Sequence, residues 1–247
     1  AEEARGILAE MAEEQLWTPV TYALAGRLSA AEHGLRGAPA APGLLEAGPG
    51  SHKYVHALYY ALQHGAAGDA ASALRALEKY SRTKSWLKFG AADEKGGVID
   101  DALRQMKRGA AGGGGLPAVV EFGTFLGYSA LRMAQVLGPG ARVLSCEVDP
   151  EVACLAINLV EFAGAGASID VLFGHCEELP SRAREHLGAG SVGFAYMDHN
   201  QMTYHEDVSR LESSGLLADG AVVVATQVLK PGAPLLVWRW AEAERLG

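Results

Sequence analysis

From residue 117 onward the chain alternates short runs rich in Val, Ile, Leu and Phe with longer amphipathic segments. The runs are AVVEF, RVLSCEV, SIDVLFG, VGFAYMD and GAVVVATQV, and the segments between them fall at 128–137, 150–163, 177–187 and 204–217. A nearly continuous apolar strand is buried on both faces, as a parallel strand covered by helices is. Alternation of such strands with helices predicts βαβ units, hence an α/β domain built on a five-stranded, mostly parallel sheet.

An open parallel sheet holds ligands at the carboxyl ends of its strands. The stretch VVEFGTFLGYS ends the first strand there, with Glu121, Gly123 and Gly127 in the pattern E-x-G-x-x-x-G. Two glycines permit a tight turn and close approach of a ligand to the backbone. The helix that follows offers unpaired N–H groups to an anion. Glu147 ends the second strand 20 residues after Gly127, where a carboxylate can accept from both hydroxyls of a ribose. The pattern is not the G-x-G-x-x-G of dinucleotide binders. Joined to Glu147 it points to a nucleoside ligand, with a plain glycine turn beside a surface acid as the alternative.

Composition removes other classes. The net charge is −8 and no run of five Lys or Arg occurs, so no nucleic-acid footprint is expected. No stretch of 18 apolar residues is present, so no transmembrane helix is expected. Cys146, Cys154 and Cys176 are too irregularly spaced for a disulfide framework or zinc site and read as buried thiols.

The first 50 residues read as an extension. Residues 2–16 carry Ile7, Leu8, Met11 and Leu16 among acids, the pattern of an amphipathic helix, and the Pro/Gly-rich 37–50 is a linker. A start at Ala1 rather than Met fits a removed leader and a soluble, organellar protein, or merely a chosen starting point. Residues 51–247 form the main domain, opening on helices at 51–64 (capped by Ser51), after Asp69, and at 98–107. His52 and His56 share a helix face but lack the carboxylate of an HExxH zinc motif.

The segment VVEFGTFLGYSALRMAQVLGPGARVLSCEVDPE resembles the nucleotide-binding half of the catechol O-methyltransferases, which are class I methyltransferases dependent on S-adenosylmethionine (SAM). The resemblance runs from about residue 52 to 234 and includes ALQHGAAGDAASAL, EKGGVID, VEFAG, MDH and KPGAP in order. It implies a Rossmann-like class I methyltransferase fold with helices on both sheet faces. By the same resemblance Glu121, Gly123, Phe125, Gly127 and Ser129 would line the methionine and sulfonium end of SAM, Glu147 would hold its ribose, and Cys176, Glu177 and His199 would border its adenine. The family usually has Tyr in place of Phe125 and Ser-Gln in place of Cys176-Glu177.

The resemblance also implies a reaction centre, and there this chain departs from it. In the family a divalent ion, usually magnesium, chelates two adjacent phenolic oxygens while a lysine removes a proton. A hard cation needs oxygen ligands, preferably carboxylates. Asp198 stands where the family has its first acid, but Thr226-Gln227 replaces an Asp-Asn pair, Gln201 replaces the lysine and Asn200 a tryptophan. The magnesium site is expected to be lost, leaving Asp198 a weak ligand. Local substitutes are His199, His205, Glu206 and Asp207 for a softer metal and Lys230 for the base. The chain ends soon after KPGAP, so the family's C-terminal hairpin is expected to be shortened or missing, with at most one more strand at PLLVWRW. These departures suggest a scaffold or accessory subunit that joins a larger protein assembly through its N-terminal helix or C-terminal sheet edge. The alternative is an active SAM-dependent O-methyltransferase acting on a small phenol.

Overall fold

The structure, a computed structural model, describes residues 53–89, 93–109 and 116–246. The expected N-terminal helix, the linker, the Ser51 cap and His52 lie outside these residues. Three helices come first: α1 (Lys53–His64), α2 (Ala70–Arg82) and α3 (Asp93–Gly109). Then follow β1 (Ala118–Phe122), α4 (Tyr128–Leu137), β2 (Val143–Glu147), α5 (Pro150–Phe162), β3 (Ile169–Phe173), α6 (Leu179–Leu187), β4 (Val192–Met197), α7 (Tyr204–Ser213), β5 (Leu217–Ala225) and α8 (Pro234–Leu246). The five strands lie in the order β3-β2-β1-β4-β5, and every neighbouring pair is parallel.

Local chemistry sets several boundaries. Asp69 caps α2 by accepting from the Ser72 N–H at 2.9 Å, and Asp149 caps α5 by accepting from Glu151 N–H at 2.9 Å. Pro150 follows at the first helical position, where its missing N–H is no loss. Each side-chain cap contributes about 1 kcal/mol.

Two apolar layers clamp the sheet. Val119, Phe194 and Tyr196 pack with Leu77, Leu131 and Leu159 of the helices α2, α4 and α5. Val120, Phe122 and Met197 pack on the other side with Leu179, Val208 and Leu236 of α6, α7 and α8. Burying a Leu or Phe of this kind is worth about 1.5–3 kcal/mol. Side chains should alternate along β4, yet Val192 and Ala195 face the same layer. The register slips between Val192 and Phe194, making Gly193 a bulge. A Cβ at Gly193 would sit 2.6 Å from the Pro117 Cβ and 2.9 Å from the Met106 sulfur, so the bulge has room only for glycine.

Some sequence-based boundaries shift. The helix expected at 177–187 divides into a 3-10 turn, Cys176–Glu178, and α6. The helix expected at 204–217 stops at Ser213, and β5 begins three residues before the expected run. The larger correction concerns PLLVWRW, which is the start of α8 and not a strand. Pro234 starts the helix, the following AEAERL is rich in helix formers, and Leu236 is anchored in the second core layer. Arg239 also ties α8 to α7 through the Ser209 hydroxyl at 2.8 Å and through Glu212. Among the described residues β5 therefore pairs only with β4 and forms the sheet edge.

Candidate functional site

The chain runs outward from β1 through β2 to β3, then returns to place β4 on the other side of β1. At that reversal the connections leave the sheet in opposite directions and open a crevice above the carboxyl ends of the strands. A cavity of about 550 Å³ lies there. Its wall brings together Gly123 and Phe125 after β1, Cys146 and Glu147 at the end of β2, and Asp198 and His199 after β4.

Gly123 takes φ 97°, and a Cβ there would lie 3.0 Å from the Asp198 carbonyl oxygen. The loop therefore runs flush against the end of β4. Its amide and that of Thr124 donate to the Cys146 carbonyl at 3.0 and 3.1 Å, tying it to β2 as well. Phe125 is held in the left-handed region at φ 49°, which costs a non-glycine residue about 1–3 kcal/mol and is sustained where surroundings demand it. Here the Phe125 N–H donates to Glu147 Oε2 at 2.7 Å, while its ring meets Tyr54 edge-on at 5.0 Å between centroids. Glu147 Oε1 accepts from the Asp149 N–H at 3.1 Å. The carboxylate is thus fixed in direction yet borders the cavity, with spare lone pairs for hydroxyl donors.

Glu121, Ser129 and Gly127 stand behind this wall. Glu121 is fully buried, and its carboxyl group bonds to the hydroxyls of Ser129 and Ser145. Burial pushes its pKa up to about 8, against the pull of those two hydrogen bonds and with a push from the charges of Asp198 and Glu147. Gly127, at φ 79°, opens α4.

On the adenine side that the resemblance implies, Cys176 borders the cavity, but Glu177 is exposed and lies 3.9 Å from the Arg210 guanidinium. His199 is packed between the rings of Phe122 and Tyr204. Its Nε2 is 2.9 Å from Asp207 Oδ2, and the Asp207 Oδ1 accepts from Arg210 at 2.9 Å. Burial would raise the Asp207 carboxyl, but the hydrogen bonds from His199, Thr203 and Arg210 outweigh it and hold the group below its ordinary value. A carboxylate at Nε2 places the proton of the neutral ring there, leaving Nδ1 as a bare lone pair. Nδ1 is the one buried side-chain polar atom without a hydrogen-bond partner among the described residues.

The opposite end carries the substitutions. Asp198 follows β4 and Thr226 follows β5, so the parallel pairing sets them side by side. The Thr226 hydroxyl donates to Asp198 Oδ1 at 2.5 Å, Gln227 Nε2 donates to the same oxygen at 3.1 Å, and the Tyr196 hydroxyl reaches Oδ2 at 3.4 Å. The Tyr204 hydroxyl donates to the Met197 carbonyl at 3.0 Å, with the Gln201 amide near it. No group of three or more His, Cys, Asp or Glu side chains able to hold a metal ion occurs among the described residues. His205 instead lies 3.9 Å from Glu206 on α7, and Asp207 is committed to His199 and Arg210. A magnesium ion does not fit this donor set: two neutral donors already point at the one carboxylate it would need.

Sequence reasoning passed over Lys88, Phe89 and Lys95, which join Lys230 on the cavity wall. The first two lie in an irregular stretch between α2 and α3, where no periodicity marks a function. It also passed over the Asp207–His199 pairing, since residues eight apart announce no contact across a turn.

A family profile described as O-methyltransferase matches residues 115–235. The catechol O-methyltransferase of Bos taurus is 35% identical over 186 residues, covering 75% of this chain and 65% of that protein. That of Sus scrofa is 32% identical over 142 residues, covering 57% of this chain and 72% of that protein. This chain thus spans slightly less than two thirds of the bovine protein's length. The crystal structure of an O-methyltransferase from Bacillus cereus in complex with SAH superimposes with a TM-score of 0.53 at 15% identity, over 72% of this chain and 79% of that one. The fold is that of the Rossmann-like class I methyltransferases. The chain belongs to the O-methyltransferase family and is similar to its catechol O-methyltransferases.

Proposed function

We propose that this chain binds SAM in the cavity but has lost metal-assisted methylation of catechols, and that it serves as a binding or accessory subunit on a methyltransferase scaffold. The observation that carries this reading is the state of Asp198. One oxygen of its carboxylate, Oδ1, is taken by Thr226 and Gln227, the residues that stand where the resemblance implies metal-ligating Asp and Asn. A neutral hydroxyl and amide cannot replace the charge a hard cation requires.

The cofactor half supports the binding part of the proposal. Gly123 is close enough to the β4 end to leave no room for a side chain, and Glu147 is oriented by two backbone amides. In this reading Glu147 holds the ribose, Gly123 lets the backbone approach the methionine part, and His199 and Cys176 border the adenine. Bound SAM would supply an electrophilic methyl group. Four large apolar side chains on α8, Leu235, Val237, Trp238 and Trp240, are exposed on the described surface and support the accessory-subunit part.

Calorimetry tests both ends together. SAM or SAH is expected to bind in the micromolar range with an affinity indifferent to magnesium, and labelled methyl transfer to catechol is expected to be absent with or without the ion. Magnesium-stimulated transfer would overturn the loss of catalysis. Recovery of the native protein only as an isolated monomer would count against the subunit role.

A second reading has its own observation. Lys88, Lys95 and Lys230 border the cavity, so amine groups and positive charge are at hand where the family lysine is replaced by Gln201. That arrangement favours an active, metal-independent O-methyltransferase for a small phenol carrying an anionic group. Transfer of labelled methyl to a panel of phenols, with and without a carboxylate substituent, separates the two readings.

A further inference from the structure

We propose that Cys146 and Cys176 form a redox-responsive dithiol on the wall of the cavity, closing to a disulfide in the presence of hydrogen peroxide and thereby weakening cofactor binding. The control of binding rests on the reading of this cavity as a SAM site; the disulfide does not.

Cys146 is the penultimate residue of β2, and Cys176 opens the short turn that follows β3, the strand paired with β2. Both cysteines border the cavity. Cys146 Sγ lies 3.3 Å from the Gly174 carbonyl oxygen, two residues before Cys176, and the two thiols are near enough to influence each other's ionisation. Cys146 is paired with Leu172 in the β2–β3 register, four residues before Cys176, so the strand pair delivers the 176–178 turn to the end of β2. Closure to a disulfide brings the two Cα atoms to a separation of about 4.4–6.8 Å.

The surroundings suit Cys146 as the attacking sulfur. The hydrogen bond from Cys176 favours its ionised form, opposing burial, and the Arg182 guanidinium adds positive charge while Glu147 and Glu178 oppose it. Low-pKa thiolates near a cation are the ones that oxidise. The Cys146 thiolate attacks one peroxide oxygen, the O–O bond breaks, and hydroxide leaves and takes up the proton that Cys146 lost. The Cys176 sulfur then attacks the resulting sulfenic sulfur; its proton goes to the departing hydroxyl, which leaves as water. Two thiols and one hydrogen peroxide yield one disulfide and two waters, with two electrons passing from sulfur to oxygen.

The link to binding is made by the backbone. The Cys146 carbonyl accepts from both Gly123 and Thr124, and Glu147 next to it accepts from Phe125. Pulling the Cys146 side chain toward the 176–178 turn therefore loads the glycine loop and removes the two thiols from the wall.

The test uses the full chain with hydrogen peroxide as the oxidant and SAH as the ligand. Peptide mapping by mass spectrometry is expected to find a Cys146–Cys176 cross-link that a dithiol reductant reverses, with Cys154 on α5 outside it. SAH affinity is expected to fall on the order of 10-fold on oxidation, a usual size for coupling between sites, and to return on reduction. In the Cys146→Ser/Cys176→Ser double variant the ratio of oxidised to reduced affinity should be one, whatever its absolute value. Absence of the cross-link from a protein that binds SAH, or a cross-link that leaves the affinity unchanged, overturns the proposal. Failure of the reduced wild type to bind SAH overturns the SAM-site reading, and the control of binding with it, even if the cross-link forms.

Discussion

The two ends of the cavity each hold a carboxylate that follows or ends a central strand, and the two have opposite surroundings. Glu147 at the end of β2 is oriented by backbone amides, which lie at fixed positions and leave its remaining lone pairs toward the cavity. Asp198 after β4 is met by the side chains of Thr226 and Gln227. Backbone donors orient an acid for a ligand, whereas side-chain donors can take a ligand's place. The comparison teaches that position at a strand end does not by itself make a carboxylate a binding group; what else points at it decides.

The strongest blow to this comparison would come through the glycine loop. Gly123→Val places a branched side chain at φ 97° and against the Asp198 carbonyl. Strain of about 1–3 kcal/mol plus that contact is expected to weaken SAH binding about 100-fold by calorimetry; an unchanged affinity would remove the loop from the cofactor site. Next in size, Glu147→Ala should lose charge-assisted hydrogen bonds worth about 1.5–3 kcal/mol, some 10- to 100-fold in affinity. Asp198→Ala should change the same affinity by no more than about 2-fold, within ordinary surface effects of ~0.5 kcal/mol. Equal losses in the two variants would erase the distinction between the ends.

The other end can be sharpened by rebuilding it. Thr226→Asp combined with Gln227→Asn removes the hydroxyl donor on Asp198, draws the amide back by one methylene and adds an anion. Manganese binding, followed by electron paramagnetic resonance, is expected to tighten about 10-fold or more, which is ~1.4 kcal/mol. If the ion binds the wild type as well as the double variant, the side-chain donors are not what excludes it.

A separate test concerns the acid behind the wall. Glu121 titrates near 8 in the folded chain against an ordinary value of 4.5, so between those pH values the folded state holds a proton that the unfolded state has released. Its contribution to stability is therefore neutral below about pH 4.5, turns increasingly unfavourable as pH rises toward 8, and stays so above. In Glu121→Gln, denaturant midpoints should fall less across that window, by the equivalent of about 1 kcal/mol or more. A profile as steep as that of the wild type would mean Glu121 is ionised in the folded state.

Much of the scaffold was legible because its signals are local. Asp69 and Asp149 cap helices through bonds to residues two or three positions ahead, and such contacts can be read in one dimension. The apolar runs marked the strands most plainly at β1, β2 and β4, where burial on both faces leaves no polar alternation. PLLVWRW misled because its valine and tryptophans suit a strand, while the decisive facts, the packing of Leu236 and the bonds of Arg239 to α7, are tertiary. The cysteines read as buried thiols, since the 29 residues between Cys146 and Cys176 hide a proximity that the β2–β3 pairing creates.

By itself the sequence determined the parallel α/β scaffold, the glycine turn after β1 and the removal of charge from positions 226 and 227, because periodicity, backbone freedom and side-chain charge are properties of residues in order. Only the tertiary structure decided that Thr226 and Gln227 turn their donors onto Asp198, that Glu121 withdraws behind the wall, and that Asp207 holds His199. Those outcomes depend on directions between atoms on different elements, and directions exist only once strands have paired and helices have packed.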